Sequence, residues 1–239
     1  MISAKVHEDK PPGFKVTVIL PTYNERANIA PLIESLAKYL NGYTYEILVV
    51  DDNSPDGTAD AAEALSGKYP VKVLRRPRKM GVTSAIHDGF KASSGSVIIV
   101  MDADFQHPPE LVPRLLSRIR YCDVVVASRY AGGGRIEEWS FIRRAMSMVA
   151  VALVRVLVPE CRSVKDPVSG FFALWREVLD SWRPVVPGGY KVLVEILATA
   201  KPTRVCEEPY VFRARRSGKS KLNTAVVFSF IKLLLKLLF

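Results

Sequence analysis

Short apolar runs alternate with amphipathic segments through the first half of the chain. Apolar runs of four to eight residues indicate buried strands, and apolar residues that recur every three or four positions indicate helices. The pattern predicts strands at 15–20, 45–50, 71–74, 96–101 and 123–127, separated by helices at about 28–40, 58–68, 82–92 and 111–119. Such alternation is typical of an α/β fold, with a mostly parallel sheet covered by helices on both faces.

The second half of the chain has a less regular pattern. It predicts a helix over about 140–158, a strand near 170–175, a helix near 190–200 and a short strand near 203–206. In the first half, Asn28 and Thr58 are the expected helix caps, and Pro31 falls in a first turn, where proline is tolerated. Glu195 lies among apolar residues and should have a partner, with Lys191 at i−4 as one candidate.

The C-terminal segment 222–239 is apolar almost throughout, and its Lys232 and Lys236 share one helical face. The apolar part is too short for a span of ~20 residues. We therefore predict an amphipathic helix at a membrane interface, with a helix packed on the core as the alternative. The predicted helix 141–158 is also apolar almost all round, interrupted at Arg155, and burial and membrane contact explain it equally well.

Charge and cysteine content narrow the class of protein. The net charge of +10 indicates an anionic partner: nucleic acid, acidic lipid headgroups or phosphorylated substrates. The absence of a basic stripe interleaved with aromatic residues argues against nucleic acid. Cys122, Cys161 and Cys206 form no CxxC pair, which predicts reduced thiols in a cytosolic compartment and neither a disulfide framework nor a zinc site. Residues 1–14 read as a polar tail without the apolar core of a signal peptide.

Polar clusters follow three of the predicted strands at their carboxyl ends, where ligands bind in open α/β sheets. They are Pro-Thr-Tyr-Asn-Glu at 21–25, Asp-Asp-Asn at 51–53 and an acidic motif at 102–110. The coincidence of the three is stronger than any one of them. Within the second cluster, Asp52 is a candidate acceptor for a base or ribose edge, although an aspartate in such a loop often caps a turn or helix.

The acidic motif is the strongest candidate for a metal site. Asp102, Asp104 and Gln106 occupy alternate positions, so in an extended segment their side chains point the same way. Three hard oxygens would then leave room for a divalent ion and the phosphates that it carries. Two close carboxylates need a cation, and without clustered Cys or His that cation is Mg²⁺ or Mn²⁺ rather than zinc. Capping of the helix after Pro108 needs only one acid.

Cationic residues further along the chain suit phosphate groups. Arg129 follows the fifth strand, before a glycine-rich loop, although a solvated arginine is the simpler interpretation. Arg143 and Ser147 are spaced i, i+4 and share a helical face, where a guanidinium and a hydroxyl suit a phosphate. Residues 213–221 hold five cations just before the apolar helix, which indicates a phosphate site at a membrane surface rather than a disordered basic loop or a nucleic-acid patch.

Together these motifs resemble those of the polyprenyl-phosphate sugar synthases of glycosyltransferase family 2. The resemblance covers residues 15 to about 222 and rests on six segments in order: Pro21–Glu25, Val50–Thr58, Asp102–Glu110, Ser128–Tyr130, Asp166–Phe172 and Gly218–Leu222. It implies a GT-A catalytic domain with a Rossmann-like sheet over 15–222, followed by the interfacial helix at 223–239. It also implies an inverting enzyme with a nucleotide-sugar donor, an Mg²⁺ or Mn²⁺ ion and a lipid monophosphate acceptor.

The resemblance also implies a role for each candidate residue. The nucleoside pocket would be lined by Pro21, Tyr23, Glu25 and Asp52. The metal and diphosphate would be held by Asp102, Ala103, Asp104 and Gln106. The acceptor phosphate would be held by Arg129, Arg143 and Ser147, and the donor diphosphate or acceptor entrance by Arg215 and Lys221. Of these, Asp104, Arg129, Arg143 and Ser147 are the catalytic candidates.

The Gln-His-Pro-Pro stretch at 106–109 favours the mannose-transferring members of the family. The expected reaction is therefore transfer from GDP-mannose to dolichyl or another polyprenyl phosphate at the cytoplasmic face of a membrane, to which the protein binds peripherally. An anchor is expected from a small transmembrane subunit or from a transmembrane region that this chain lacks. UDP-glucose or another UDP-sugar is the alternative donor. A non-catalytic nucleotide-binding protein that docks on membranes is a remote alternative, against which the intact acidic motif argues.

Overall fold

A seven-stranded sheet forms the centre of the fold. The computed structural model describes residues 13–216 and 224–238. The sheet has the order β3-β2-β1-β4-β7-β5-β8. Its strands are β1 (Val16–Thr22), β2 (Tyr45–Asp51), β3 (Val71–Arg75), β4 (Val97–Val100), β5 (Val124–Ser128), β7 (Phe172–Trp175) and β8 (Val205–Pro209). Two further strands, β6 (Arg135–Ile136) and β9 (Val211–Phe212), pair with each other beside it.

Helices cover both faces of the sheet. They are α1 (Arg26–Tyr39), α2 (Thr58–Glu63), α3 (Val82–Ala92), α4 (Val112–Arg118), α5 (Phe141–Leu157), α6 (Arg176–Asp180), α7 (Val192–Ala200) and α8 (Thr224–Leu238). Alternate residues of each strand face opposite sides, so Val18 belongs to the apolar cluster that includes residues of α1, α2 and α4, whereas Ile19 belongs to the cluster that includes residues of α3, α5 and α7. The predicted three-layer α/β architecture is confirmed.

The strand directions bring the polar clusters to one edge. β1 runs parallel to β2 and β4, and Thr22 lies opposite Asp51 in register. β7 runs antiparallel to both β4 and β5, which makes β5 parallel to β4. The carboxyl ends of β1, β2, β4 and β5 therefore meet at the same edge of the sheet, together with the loop that enters β7.

The local predictions at two helix starts are wrong. α1 begins two residues before Asn28, with Glu25 at the N-cap position, and the Asn28 amide donates to the Glu25 carboxylate at 2.8 Å. Pro31 consequently lies in the second turn. α2 begins at Thr58, because Asp56 accepts from the Thr58 backbone N–H at 3.0 Å. α2 also ends well before residue 68, and the short elements β6, β9 and α6 were not predicted.

The expectation of reduced thiols throughout is also wrong. Cys122 and Cys206 form a disulfide across 84 residues, whereas Cys161 is free and buried. β5 and β8 pair in parallel with Val125 opposite Cys206, and this register brings the edge strand close to Cys122. The pairing depends on strand order, which cysteine spacing does not reveal. The cysteines therefore do not support a reducing compartment.

We expect loss of this disulfide to lower stability substantially. A crosslink that closes a loop of this length restricts the unfolded chain, and its removal costs about 4 kcal/mol in the loop-entropy estimate. Denaturant unfolding of Cys122→Ala/Cys206→Ala should therefore show a lower midpoint than the wild type. Adding a thiol reductant should lower the wild-type midpoint to that of the variant and leave the variant unchanged. Equal midpoints in all samples would contradict the stabilising role.

Candidate active site

One cavity of about 920 Å³ opens at the edge where the polar clusters meet. Elements from both halves of the chain line it, including β1, β4, α5, α7 and α8. The predicted site residues that line it are Pro21, Tyr23, Glu25, Asp52, Asp102, Ala103, Asp104, Gln106, Arg129, Arg143, Ser147 and Arg215. Lys221 lies outside the described residues. The structure thus brings every described candidate to the same cavity, and their individual roles remain predictions.

Asp52, which lines the cavity, is tied to the loop that precedes α3. Its carboxylate accepts from the backbone N–H groups of Met80 and Gly81, both at 3.1 Å. The guanidinium of buried Arg76 lies 2.7 Å from its other oxygen. Asp52 therefore shapes the pocket wall as well as lining it. Beside it, the Lys79 ammonium lies 4.2 Å from the centre of the Tyr23 ring, a cationic contact that the sequence analysis missed.

Gly81 is a position where we expect alanine to be poorly tolerated. Its φ of +96° disfavours a side chain, and an added Cβ would lie 2.8 Å from Gly188 Cα. The substitution would move the backbone N–H that Asp52 accepts from. We expect Gly81→Ala to lower the free energy of unfolding by about 1–3 kcal/mol and to weaken nucleotide binding. Scanning calorimetry measures the change in stability, and titration calorimetry measures the change in nucleotide binding.

The matched control is Gly67→Ala, where no atom lies within 4 Å of the added Cβ. That variant should stay within about 0.5 kcal/mol of the wild type. Equal behaviour of the two alanine variants would contradict the account of the Gly81 contact.

The acidic motif is not extended, contrary to prediction. β4 ends at Val100, and Phe105 has a φ of +65°. The turn forms because the Asp104 carboxylate accepts from the backbone N–H of Gln106 at 3.0 Å. The side chains nevertheless converge, because the Arg215 guanidinium lies 2.6 Å from Asp104 Oδ2 and 3.5 Å from Gln106 Oε1. The residues meet through a turn and a shared arginine, not through strand alternation.

The electrostatics of the motif favour a cation. Burial of Asp104 raises the pKa of its carboxyl, and the nearby charge of Asp102 raises it further, while the charge of Arg215 and the hydrogen bond from the Gln106 backbone oppose that shift. The Asp102 side chain is half exposed to the cavity. Additional positive charge here would stabilise both ionised carboxylates.

The donor set fits Mg²⁺ or Mn²⁺. Two carboxylates and the Gln106 amide oxygen are hard ligands, and Mg²⁺ sites typically combine one or two carboxylates with water and substrate phosphates. Among residues 13–216 and 224–238 no group of three His, Cys, Asp or Glu side chains forms a metal cluster. The chain thus offers a partial set of ligands that a diphosphate would complete.

His107 supports the motif rather than titrating in it. Burial lowers the pKa of its imidazole to about 4. Its Nδ1 accepts a hydrogen bond from the backbone N–H of Asp102 at 3.0 Å, and its ring stacks on Phe171 with centroids 5.2 Å apart. The ring is therefore neutral and holds the Asp102 backbone in place. This role of His107 was not predicted from the sequence.

Arg129 is held in a buried ion pair, which the sequence analysis did not anticipate. Its Nε and NH2 donate to the two carboxylate oxygens of Asp166 at 2.8 and 2.7 Å, and its backbone N–H donates to the same side chain at 3.0 Å. Asp166 is fully buried. The charge of Arg129 is thus largely balanced within the protein, and Asp166 fixes the position from which Arg129 lines the cavity.

Arg143 and Ser147 lie on the cavity side of α5, as their spacing predicts. The Arg143 guanidinium stacks on Trp139, 4.4 Å from the ring centroid. Burial lowers the pKa of Arg143, and the charges of Arg215 and Arg129 lower it further. Ser147 accepts a hydrogen bond from the Tyr130 hydroxyl at 2.9 Å. A cationic and a hydroxyl side chain from α5 therefore line the same cavity as the acidic motif.

Glu195 has partners, as expected, but Lys191 is not among them. Its carboxylate accepts from the backbone N–H groups of Val185 and Val186 at 2.7 and 3.3 Å, and burial raises its pKa to about 7. Lys191 instead lines the cavity, where its ammonium donates to the Val168 carbonyl at 3.5 Å. The pairing predicted from the i−4 spacing is wrong because α7 begins only after Lys191, so the two side chains do not share a helical face.

This fold and site define a glycosyltransferase of the GT-A class. The central sheet ends in an acidic motif that faces a cavity of about 920 Å³, which Arg129, Arg143 and Arg215 also line. The chain belongs to glycosyl transferase family 2, which matches residues 17–183. The resemblance drawn from the six sequence motifs is thereby confirmed at the level of the family.

Two similar proteins carry the same name. The dolichol-phosphate mannosyltransferase of Pyrococcus furiosus is 46% identical over 225 residues, which are 94% of this chain and 64% of that protein. The chain thus spans just under two thirds of that relative. The dolichol-phosphate mannosyltransferase of Saccharomyces cerevisiae is 34% identical over 237 residues, which are 94% of this chain and 87% of that protein.

A solved structure supports the fold. Glucosyl-3-phosphoglycerate synthase from Mycobacterium tuberculosis, in complex with Mn²⁺, UDP and glucosyl-3-phosphoglycerate, superposes with a TM-score of 0.74 at 27% identity. The match covers 94% of this chain and 80% of that one. A second complex of the same enzyme contains Mg²⁺ and UDP. GT-A relatives of this chain therefore bind a divalent ion together with a nucleotide.

Proposed function

We propose that this protein transfers mannose from GDP-mannose to dolichyl or another polyprenyl phosphate, with inversion, at the cytoplasmic face of a membrane. The observation that carries the proposal is the continuity of the cavity. The same cavity is lined by Tyr23 and the acidic motif, by Arg129 and Arg143, and by apolar side chains of α5 and α8. These three sets of residues suit a nucleotide sugar, a phosphate and a lipid chain, respectively.

At the donor end, the chain's own residues position the diphosphate. Asp102, Asp104 and Gln106 would hold Mg²⁺ or Mn²⁺, which when bound offsets the negative charge of the leaving diphosphate. The Arg215 guanidinium lies 2.6 Å from the Asp104 carboxylate and 3.5 Å from the Glu25 carboxylate. It therefore adds positive charge at the proposed diphosphate site. Preorganised positive charge stabilises the transition state because charge accumulates on the departing oxygen.

The acceptor needs no strong general base. A phosphate monoester has its second pKa near ~6 and is largely dianionic at neutral pH. One phosphate oxygen attacks the anomeric carbon while the carbon–oxygen bond to the diphosphate breaks, and the electron pair leaves with GDP. No proton is transferred. His107, neutral and buried, is accordingly not required as a base. Attack from the face opposite the leaving group converts an α-linked donor into a β-linked product.

The lipid part of the acceptor and the membrane surface meet α5 and α8. The inner face of α5 is buried at Val151 and Val154, and the rest of the helix exposes apolar side chains. The exposed apolar residues of the two helices are Phe141, Ile142, Met146, Met148, Val149, Leu153, Val156, Val227, Phe228, Ile231, Leu235 and Leu238. Within the described ranges no helix has the length and apolarity needed to cross a membrane. We propose that this surface rests in the interface.

We expect Ile142→Ser/Phe228→Ser to reduce membrane binding. Both side chains are more than 70% exposed, and each buries apolar area on insertion into lipid. The loss should be about tenfold or more in the lipid concentration needed for half-maximal cosedimentation with anionic vesicles. Tyr121→Ser is the control, since Tyr121 is an aromatic residue outside α5 and α8 that is 52% exposed. Equal vesicle binding by the three proteins would contradict the proposed surface.

A donor panel tests the proposed reaction. GDP-mannose, UDP-glucose and UDP-N-acetylglucosamine are each incubated with dolichyl phosphate and Mn²⁺, and lipid-linked sugar is quantified. We expect turnover with GDP-mannose to exceed turnover with the UDP-sugars. The relevant alternative is a UDP-sugar, because a solved structure similar to this chain binds UDP-glucose. If UDP-glucose is turned over faster than GDP-mannose, the proposed donor is wrong. If no donor is turned over, the proposed reaction is refuted.

A further inference from the structure

Some of the cationic side chains that line the cavity form ion pairs with carboxylates of the protein, and others do not. Arg129 is paired with buried Asp166, and Arg215 is paired with Asp104. A guanidinium already held by a carboxylate contributes less net attraction to an incoming anion. The acceptor phosphate carries about two negative charges at neutral pH, so its binding calls for cations that lack such a partner.

Lys191 is a cation of this kind. It precedes α7 and lines the cavity, and among the described residues no carboxylate forms an ion pair with it. Its ammonium has three donors, and the one hydrogen bond found for it goes to the Val168 carbonyl at 3.5 Å. Donors therefore remain for a ligand in the cavity.

Lys191 interacts electrostatically with residues of both halves of the proposed reaction centre. They are Arg129 with its partner Asp166 on the acceptor side and Asp102 on the metal side. Burial, together with the charge of Arg129, lowers the pKa of the Lys191 ammonium to about 8, and the two carboxylates oppose that shift. A bound anion at this point would relieve that cost.

We propose that the Lys191 ammonium binds the acceptor phosphate, acting together with Arg143 as the second cation not balanced by a carboxylate. This inference rests on the proposed function and adds a residue to the acceptor site. Arg143 approaches from α5 and Lys191 from the start of α7, so the two contact the phosphate from different elements. The pair would orient the attacking oxygen toward the anomeric carbon.

Steady-state kinetics of Lys191→Met and Lys191→Arg test the assignment. We expect Lys191→Met to raise the KM for polyprenyl phosphate about 30-fold or more, because a buried phosphate would lose its charged partner. The KM for GDP-mannose should stay within about threefold, and Lys191→Arg should recover most of the loss. Lys201→Met, on an exposed lysine just after α7, is the matched control and should behave as wild type.

A structural role would give a different result. If Lys191 only held the Val168 carbonyl, Lys191→Met would alter both KM values together and lower the melting temperature, and arginine would not restore acceptor binding. That outcome, or an unchanged KM for the acceptor, overturns the proposal.

A binding measurement on the wild type separates this inference from the proposed reaction. Limited acylation with acetic anhydride is followed by peptide mass spectrometry, with farnesyl phosphate or farnesol present. We expect farnesyl phosphate, but not farnesol, to protect Lys191. Protection without any sugar transfer would refute the reaction and support the phosphate site. Sugar transfer without protection would refute the role of Lys191.

Discussion

Asp104→Ala is expected to abolish sugar transfer, with a fall in kcat/KM of at least ~10³-fold. Asp104 is 2% exposed and lies at the centre of the acidic motif, where it contacts Arg215 and the Gln106 backbone. Its removal leaves Arg215 without that carboxylate and deprives the proposed Mg²⁺ or Mn²⁺ of a ligand. Donor binding by the variant should lose its dependence on the divalent ion, which titration calorimetry with GDP measures directly.

The control for this prediction is Asp60→Ala. Asp60 is an exposed acid on α2 that pairs with Arg75 away from the cavity. It should keep wild-type kinetics and wild-type metal-dependent donor binding. Full activity of Asp104→Ala after treatment with a chelator would refute the assignment of the metal site.

Asp166→Ala is expected to destabilise the fold and to abolish activity. The variant leaves Arg129 buried without its bidentate partner, and breaking a buried ion pair costs about 3–5 kcal/mol. Thermal and denaturant unfolding should both report this loss. Because Arg129 reaches the cavity from a position that Asp166 fixes, acceptor turnover should fall as well in any fraction that remains folded.

A double variant separates folding from chemistry. Arg129→Met/Asp166→Leu replaces the pair with apolar side chains, an exchange that is often nearly neutral for stability. It should therefore unfold close to the wild type yet remain inactive. Glu137→Ala, which removes an exposed ion pair with Arg135, should cost about 0–1 kcal/mol. An active double variant would show that Arg129 serves the fold alone.

The parts of the fold that depend on local pattern were predictable from sequence. The strands predicted at 45–50 and 123–127 match β2 and β5 to within one residue at each end. The polar clusters at the carboxyl ends of the strands share one edge because these strands run parallel. The i, i+4 spacing of Arg143 and Ser147 likewise placed both on one face of α5. In each case the inference needed only the period of an element and the direction of the sheet.

The remaining features depend on contacts between distant segments. β7 enters the sheet between β4 and β5, and this order brings Asp166 to Arg129. The same arrangement places Lys191 at the cavity, and the register of β8 brings Cys206 to Cys122. Asp104 and Gln106 were predicted to converge through strand alternation, but a turn brings them together. Such outcomes follow from tertiary packing, for which one sequence carries no local signal.

The most direct test of the proposed function compares two acceptors with the wild-type protein. Radiolabelled GDP-mannose is incubated with vesicles that contain dolichyl phosphate or dolichol, with either Mn²⁺ or a chelator, and label in the organic phase is counted. We predict transfer only where Mn²⁺ and the phosphorylated lipid are both present. Equal labelling of dolichol, or full transfer in the chelator, would contradict a metal-dependent transfer to a lipid phosphate.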